Sequence, residues 1–465
     1  MPLFAQFVLV VLLPVVAYSL FGHYPSRTVI LLLFIGGYLF LPRTVGVLLP
    51  LIPDYGGMVA VCYVILLGTL LFDAGRFTRY RPHWIDGLMV AWCSSGMWSS
   101  LTNDLGFYDG LNVTLDNIAV WALPYLLGRL YLNSLASMKE AAVILVKGAL
   151  IYVPFCLWEI KMSPQFHKLV YGANAHRSGI SQARRSFGLW RPMVFMDHGL
   201  LVAMFMFCAA LVALWLWQSQ AVKEIWGQPI KTHAIILSVT LIAIQSGNTY
   251  VYLLVSGAIL LLLKLWKTNL PVLLILGGII FYLSIATTGN FNGDGIVDWI
   301  AQNFSAERAQ SLGFRFQEEV KLIAHAQQQW FFGWGGWGRN RPELYLGRKE
   351  LKIVIDSLWI ITFGNNGVFG LVTLYGAFLA PLTLLLTWRY PPRLWFHPQV
   401  APTIALGLCV VFFLFDSLFN APVFPGFLLI TGGMTSLVAR NSEVTAQAKT
   451  PISPISCPRT LHPRG

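Results

Sequence analysis

Hydrophobic residues in this chain come in unbroken runs, many of them close to the ~20 residues that a helix needs to cross a bilayer. The runs place spans at Leu3–Phe21, Arg27–Leu41, Gly57–Phe72, Trp84–Leu101, Leu115–Leu132, Ala141–Trp158, Val194–Trp217, Ala234–Ser246, Val251–Trp266, Leu270–Thr287, Ser357–Trp388, Ala401–Phe419 and Ala421–Val438. Continuous runs exclude a β-barrel, whose strands alternate. Thr44–Ile52 is apolar but too short to span, and reads as a half-helix or a re-entrant piece. The expected fold is all-α, a multi-pass helical integral membrane protein with about 12–14 transmembrane helices. The pattern divides the chain into N-terminal helices (1–159), a polar loop (160–193), central helices (194–287), a large polar island (288–356), C-terminal helices (357–439) and a tail (440–465). The tail carries serine and proline and reads as disordered.

Composition agrees with the pattern. Hydrophobic residues make up 56% of the 465 and charged residues 11%, where a soluble domain has ~25% charged. The formal charge of +12 does not point to nucleic acid, because most cations are scattered over short inter-helix loops. They follow the excess of Lys and Arg on the cytoplasmic side of membrane proteins. Arg76, Arg79 and Arg81, Arg129 and Lys139, Lys223 and Lys231, Lys264 and Lys267, and Arg389 and Arg393 form the cytoplasmic set. These loops alternate with the acidic Asn103–Asp116, so Ile160–Arg191 and the island fall on the opposite, exported side. Both are nevertheless rich in arginine, against the topological bias. Such charge suggests a ligand. Cys62, Cys93, Cys156, Cys208 and Cys409 lie in apolar runs and Cys457 in the tail, so neither a disulfide framework nor a metal site is expected. Leu3–Phe21 lacks a basic n-region and a small-residue cleavage site, and reads as a retained helix.

Two segments could carry chemistry. The first loop offers Arg177, Arg184, Arg185 and Arg191, with His176 nearby. Arginine forks suit a phosphate or diphosphate, although ordinary anionic lipid headgroups would satisfy them too. Asp197 and His198 read as a helix cap and a buried polar pair. In the island, a helix over Ser311–Gln329 puts Arg315, Glu318 or Glu319, and Leu322 on one face. An Arg315–Glu319 pair would be either a surface salt bridge or part of a site. GWGGWG (Gly333–Gly338) then allows close backbone approach, with Trp334 and Trp337 placed to stack on a sugar or to sit in an aromatic belt, as Trp330 would. Asp356 opens a long apolar run, where a carboxylate is either a helix cap or a general base.

Four segments, FGLWRPMVFMDHG, SGNTYVYLLVSGAILLLL, FRFQEEVKLIAHAQQQWFFGWGGWG and IDSLWIITFGNNGVFGL, are similar in order and spacing to the bacterial O-antigen ligase and polymerase family. The likeness runs from about Arg184 to Leu371. It implies a metal-independent glycosyltransferase of the bacterial inner membrane, without a cofactor, acting in cell-envelope polysaccharide or lipopolysaccharide biosynthesis. Such an enzyme takes a glycan from an undecaprenyl-diphosphate carrier to a glycan or lipid acceptor hydroxyl at the periplasmic face. By the resemblance, Arg315 matches the arginine of the loop helix, and Asp356, where the family usually has histidine, activates the acceptor. Arg184, Arg185 and Arg191, with Trp334 and Trp337, become the expected binders of diphosphate and substrate. Ser246-Gly247-Asn248-Thr249 stands where the family commonly has a Ser-Arg pair, so a loop arginine would have to substitute. Two other functions remain open: a non-catalytic component of polysaccharide assembly, and a lipid-linked glycan transporter or flippase using Glu159, Asp197 or Asp416.

Overall fold

The computed structural model describes residues 3–43, 45–49, 52–175, 183–291, 293–303, 306–342, 357–421 and 424–440. The chain is an all-α bundle. Five helices are long and apolar enough to cross a membrane: Leu3–His23, Leu135–Met162, Gly199–Gln218, Gly247–Trp266 and Leu358–Arg389. Shorter apolar helices cover Ser26–Phe40, Gly57–Phe72, Ile230–Ala243, Leu270–Ala286, Ala401–Asp416 and Pro425–Ala439. Gly199–Gln218 and Ala401–Asp416 are buried on nearly every face and form the centre. Gly247–Trp266 and Leu270–Ala286 instead turn Leu254, Leu265, Leu274 and Phe281 outward. An apolar outer surface of this kind is compatible with contact to a lipid bilayer.

Helix irregularities follow proline. Wide turns occupy Val8–Leu12 before Pro14 and Ile118–Ala122 before Pro124, where the ring removes an N–H from the helical ladder. The expected span at Leu115–Leu132 therefore begins earlier, as Phe107–Asn117 running through Ile118–Ala122 into Leu123–Tyr131. The short apolar stretch after residue 44 is not helical among its described residues. Gly46–Val47 pairs antiparallel with Tyr55–Gly56, a hairpin that suits a segment punctuated by glycines and Pro53.

The short basic loops gather at one end of the bundle. There Arg129 makes a two-pronged ion pair with Asp86 (2.9 and 3.0 Å), with a further bond to Ser436. Glycines 128 and 432 let the helices Leu123–Tyr131 and Pro425–Ala439 touch backbone to backbone beside this pair. At the far ends of Leu135–Met162 and Leu358–Thr383, Glu159 holds Met193 and Val194, and Ser357 bonds to Glu319 of the island helix.

At the island end, two backbones interlock. Leu358–Thr383 is broken at Gly367 (φ 62°), which interrupts its own hydrogen bonds from residues 368 and 369 back to 364 and 365. The island replaces both partners of each. Trp334 and Gly335 N–H donate to the Gly364 and Asn365 carbonyls (2.8 and 2.9 Å), and Val368 and Phe369 N–H donate to the Trp330 and Phe331 carbonyls (2.9 and 3.0 Å). Neither side has room for a side chain at the crossing: a Cβ at Gly333 would strike the backbone of Asn365 and Asn366, and one at Gly367 the backbone of Phe331 and Phe332. Gly333 also has φ 72°, a conformation that side chains resist. Gly333→Ala should therefore cost at least about 2 kcal/mol, visible as a lower midpoint in thermal unfolding of the detergent-solubilised protein. Gly336→Ala, with only an ordinary contact to Val113, should leave the midpoint unchanged. Equal midpoints for both variants would contradict the interlock.

Candidate functional site

The island helix, Ala306–Ala326, is amphipathic, and its inner face carries the polar cluster. Glu319 does not pair on the surface. Its carboxylate accepts from the Ser357 hydroxyl at 2.6 Å and the Tyr282 hydroxyl at 3.1 Å. Glu318, one position earlier, is buried and accepts instead from Lys321 (2.7 Å). Arg315, one turn before Glu319, donates to the Phe419 carbonyl at 3.4 Å. Next to Phe419, Asp416 accepts from Tyr252 (2.6 Å) and Asn420 (2.8 Å), and Asn248 reaches the same carboxylate. One guanidinium thus stands between two carboxylates, each held by a tyrosine from a different helix. A cavity of about 20 Å³, enough for a single water, lies against Arg315, Glu319, Ser357 and Phe419.

Burial disfavours the ionised form of Glu319 and raises its pKa above the ordinary carboxyl value, against the pull of Ser357, Tyr282 and the Arg315 charge. A carboxyl raised this way is suited to exchanging a proton nearer neutrality.

The first loop builds a second centre. Arg185 N–H donates to the Leu189 carbonyl (2.8 Å) and Arg191 N–H to the Ala183 carbonyl (2.6 Å), with Arg184 bridged to Trp190 between them. This hairpin sets Arg185 and Arg191 on a diagonal of one face. Its tip, Phe187, is 95% exposed. The Arg191 stem packs against Gly199, the first residue of the central helix, which His198 caps by accepting from Leu200 N–H. The Nε–H groups of both Arg185 and Arg191 are buried without an acceptor. Burial pushes the Arg191 guanidinium down to about 10, assisted by the charge of Arg185, and burial lowers Arg185 as well. Neither forms an ion pair among the described residues. Glu159 anchors the loop by accepting from four backbone N–H groups, those of Gln165, Phe166, Met193 and Val194. That saturation makes it a structural clamp, not a pathway carboxylate.

The expected site residues fall into three groups. Arg185 and Arg191 share one face, while Arg184 is exposed on the same hairpin. Arg315 sits in the island cluster, bonded to the Phe419 carbonyl just after Ala401–Asp416. Trp334 is stacked flat on His325 (4.7 Å, 2°) and donates to its carbonyl, so its ring is partly covered. Trp337 is 72% exposed. Asp356, His176 and Arg177 lie outside the described residues.

Not every island cation is available to a ligand. Arg339 grips Asp109 through two nitrogens (3.1 and 3.3 Å), and Ser100 donates to the same carboxylate. The acidic loop is therefore a counter-ion for the island. Sequence reading missed Glu319's partners, Tyr252, Tyr282 and the role of Asp416; the available signal was a set of polar side chains inside apolar runs.

No family model matches the chain and no curated protein matches it.

A raised folded-state pKa means that folding is favoured by the protonated form of Glu319. That contribution is complete below the ordinary carboxyl range and is lost as pH rises through the folded value. Between about pH 4 and about pH 8 the wild type should thus lose more thermal stability than Glu319→Gln, which cannot ionise. Parallel stability profiles for the two proteins would contradict this placement of Glu319.

Proposed function

We propose that the chain is a multi-pass membrane transferase that moves a glycan from an undecaprenyl-diphosphate carrier to an acceptor hydroxyl at the exported face of a bacterial inner membrane. The observation that carries this reading is the pair Arg185 and Arg191: two adjacent, partly buried guanidinium groups whose Nε–H donors are unused and which pair with no carboxylate among the described residues. Arginine forks left uncompensated in this way suit a diphosphate. The similarity of four sequence segments to O-antigen ligases and polymerases supplies the reaction class.

In the proposed step the acceptor oxygen attacks the anomeric carbon, forming the new glycosidic bond as the bond to the diphosphate oxygen breaks, with inversion. The electron pair leaves on the diphosphate, whose developing charge Arg185 and Arg191 stabilise. Arg315 holds the charge balance of the island cluster. The acceptor's proton passes to a carboxylate, for which Asp356 is the candidate from the resemblance. Glu319 is the candidate from its raised pKa and its bond to Ser357, the residue next to Asp356 in sequence. The exposed face of Trp337 is available to a sugar ring.

A non-catalytic role in polysaccharide assembly draws on a different observation. The cavity beside Arg315 and Glu319 admits a water, not a sugar, as expected if that cluster only holds the island in place.

Purified protein in nanodiscs, supplied with a carrier-linked oligosaccharide and an acceptor glycan, separates these readings. The transferase reading expects release of undecaprenyl diphosphate. It expects a fall of about 100-fold or more in Arg185→Ala/Arg191→Ala, and loss of product in Arg315→Ala and Asp356→Ala at unchanged membrane abundance. Carrier binding without release would support the non-catalytic role. Unchanged product in all variants would overturn the mechanism.

A further inference from the structure

The basic end of the bundle holds a cavity of about 440 Å³ between the start of Leu135–Met162, the end of Leu358–Arg389 and the end of Pro425–Ala439. Three cations from three separate helix ends line it: Lys139, Arg389 and Arg440. Among the described residues no carboxylate lines it. The nearest acid in sequence, Glu140, is already held by Arg27 (2.6 Å) and Thr28. Among the described residues none of the three cations forms an ion pair, and the Nε–H of Arg389 is buried without an acceptor. The other cations of this end differ: Arg129 is locked to Asp86 and Arg76 to Asp73.

The backbone adds to the same field. Ser134 caps the helix by accepting from Ser137 N–H, which leaves the N–H groups of Leu135 and Ala136 without a partner inside the helix. Both residues line the cavity. The positive end of a 28-residue helix thus opens into a space already ringed by three cations. Excess positive charge alone would be satisfied by scattered surface lysines and arginines. It does not require three of them to converge on one concave site with an unused buried donor.

We propose that this cavity binds a phosphate-bearing anion, contacted by Lys139, Arg389, Arg440 and the N–H groups at the start of Leu135–Met162. The site is at the opposite end of the bundle from the Arg185–Arg191 hairpin and does not depend on the transferase reading. Two sources present the same chemistry, a soluble phosphate compound and the headgroup of an anionic phospholipid.

The test uses full-length protein. In one arm, delipidated protein in neutral detergent is titrated with inorganic pyrophosphate. In the other, protein is reconstituted in phosphatidylcholine with phosphatidylglycerol, re-extracted, and its retained phospholipid counted by native mass spectrometry. Binding in either arm supports the site and identifies the source. Arg389→Gln and Lys139→Gln should each weaken that binding about tenfold, the loss of one charge-assisted contact. Arg440→Gln, at an exposed helix end where folding is not at stake, should do the same. Arg393→Gln, a basic residue of the same end outside the cavity lining, should bind like the wild type. Binding in neither arm would overturn the proposal. So would an equal loss in Arg393→Gln, which would reduce the effect to general surface charge.

Discussion

The island end is organised by an exchange of backbone hydrogen bonds between the broken helix and the GWGGWG loop. A helix interrupted among apolar neighbours leaves N–H and C=O groups that cannot turn to water, and each costs several kcal/mol if unpaired. Here the two bonds lost at Gly367 are remade with Trp330, Phe331, Trp334 and Gly335, residue for residue. The exchange demands glycine on both chains where they cross. It also fixes the island helix: Gln329 and Gln327 are bound at the loop's start, and Arg339 is pinned to Asp109 at its end. Arg315 and Glu319 reach Phe419, Tyr282 and Ser357 because the island is held down at this crossing. Gly333, one of the glycines expected to approach a ligand, approaches another backbone.

The distribution of arginine partners gives the molecule its functional contrast. Arg129 and Arg339 have carboxylates within hydrogen-bond reach and act as struts between helices. Arg185 and Arg191 at one end, and Arg389 with Lys139 and Arg440 at the other, have none among the described residues. A partly buried cation without a counter-ion is costly to keep, so Arg185, Arg191 and Arg389 are the ones for which a ligand's negative charge would be most compensating. Counting basic residues per loop does not separate the two classes; their partners do.

Much of the fold was legible along the chain. Apolar runs located the helices. The island helix and its inner face around Arg315 also followed from i, i+4 spacing. What remained hidden was long-range pairing. Asp109 lies 230 positions from Arg339, and Asp416 lies 164 from Tyr252, separations at which no periodicity operates. Gly46–Val47 escaped because nine apolar residues read equally as half-helix or hairpin until a partner strand is known. Asp356, the residue singled out by resemblance, lies outside the described residues, whereas Glu319, one of two equivalent-looking neighbours, proved to be the acid that Ser357 and Tyr282 hold.

The interlock is the claim on which the placement of the site rests, and amide hydrogen exchange of the wild-type protein in nanodiscs tests it directly. If the island and the broken helix exchange hydrogen bonds, the N–H groups of Trp334, Gly335, Val368 and Phe369 will be protected alike and will open together in one cooperative event. Fast, loop-like exchange at Trp334 and Gly335 beside slow exchange at Val368 and Phe369 would contradict the account.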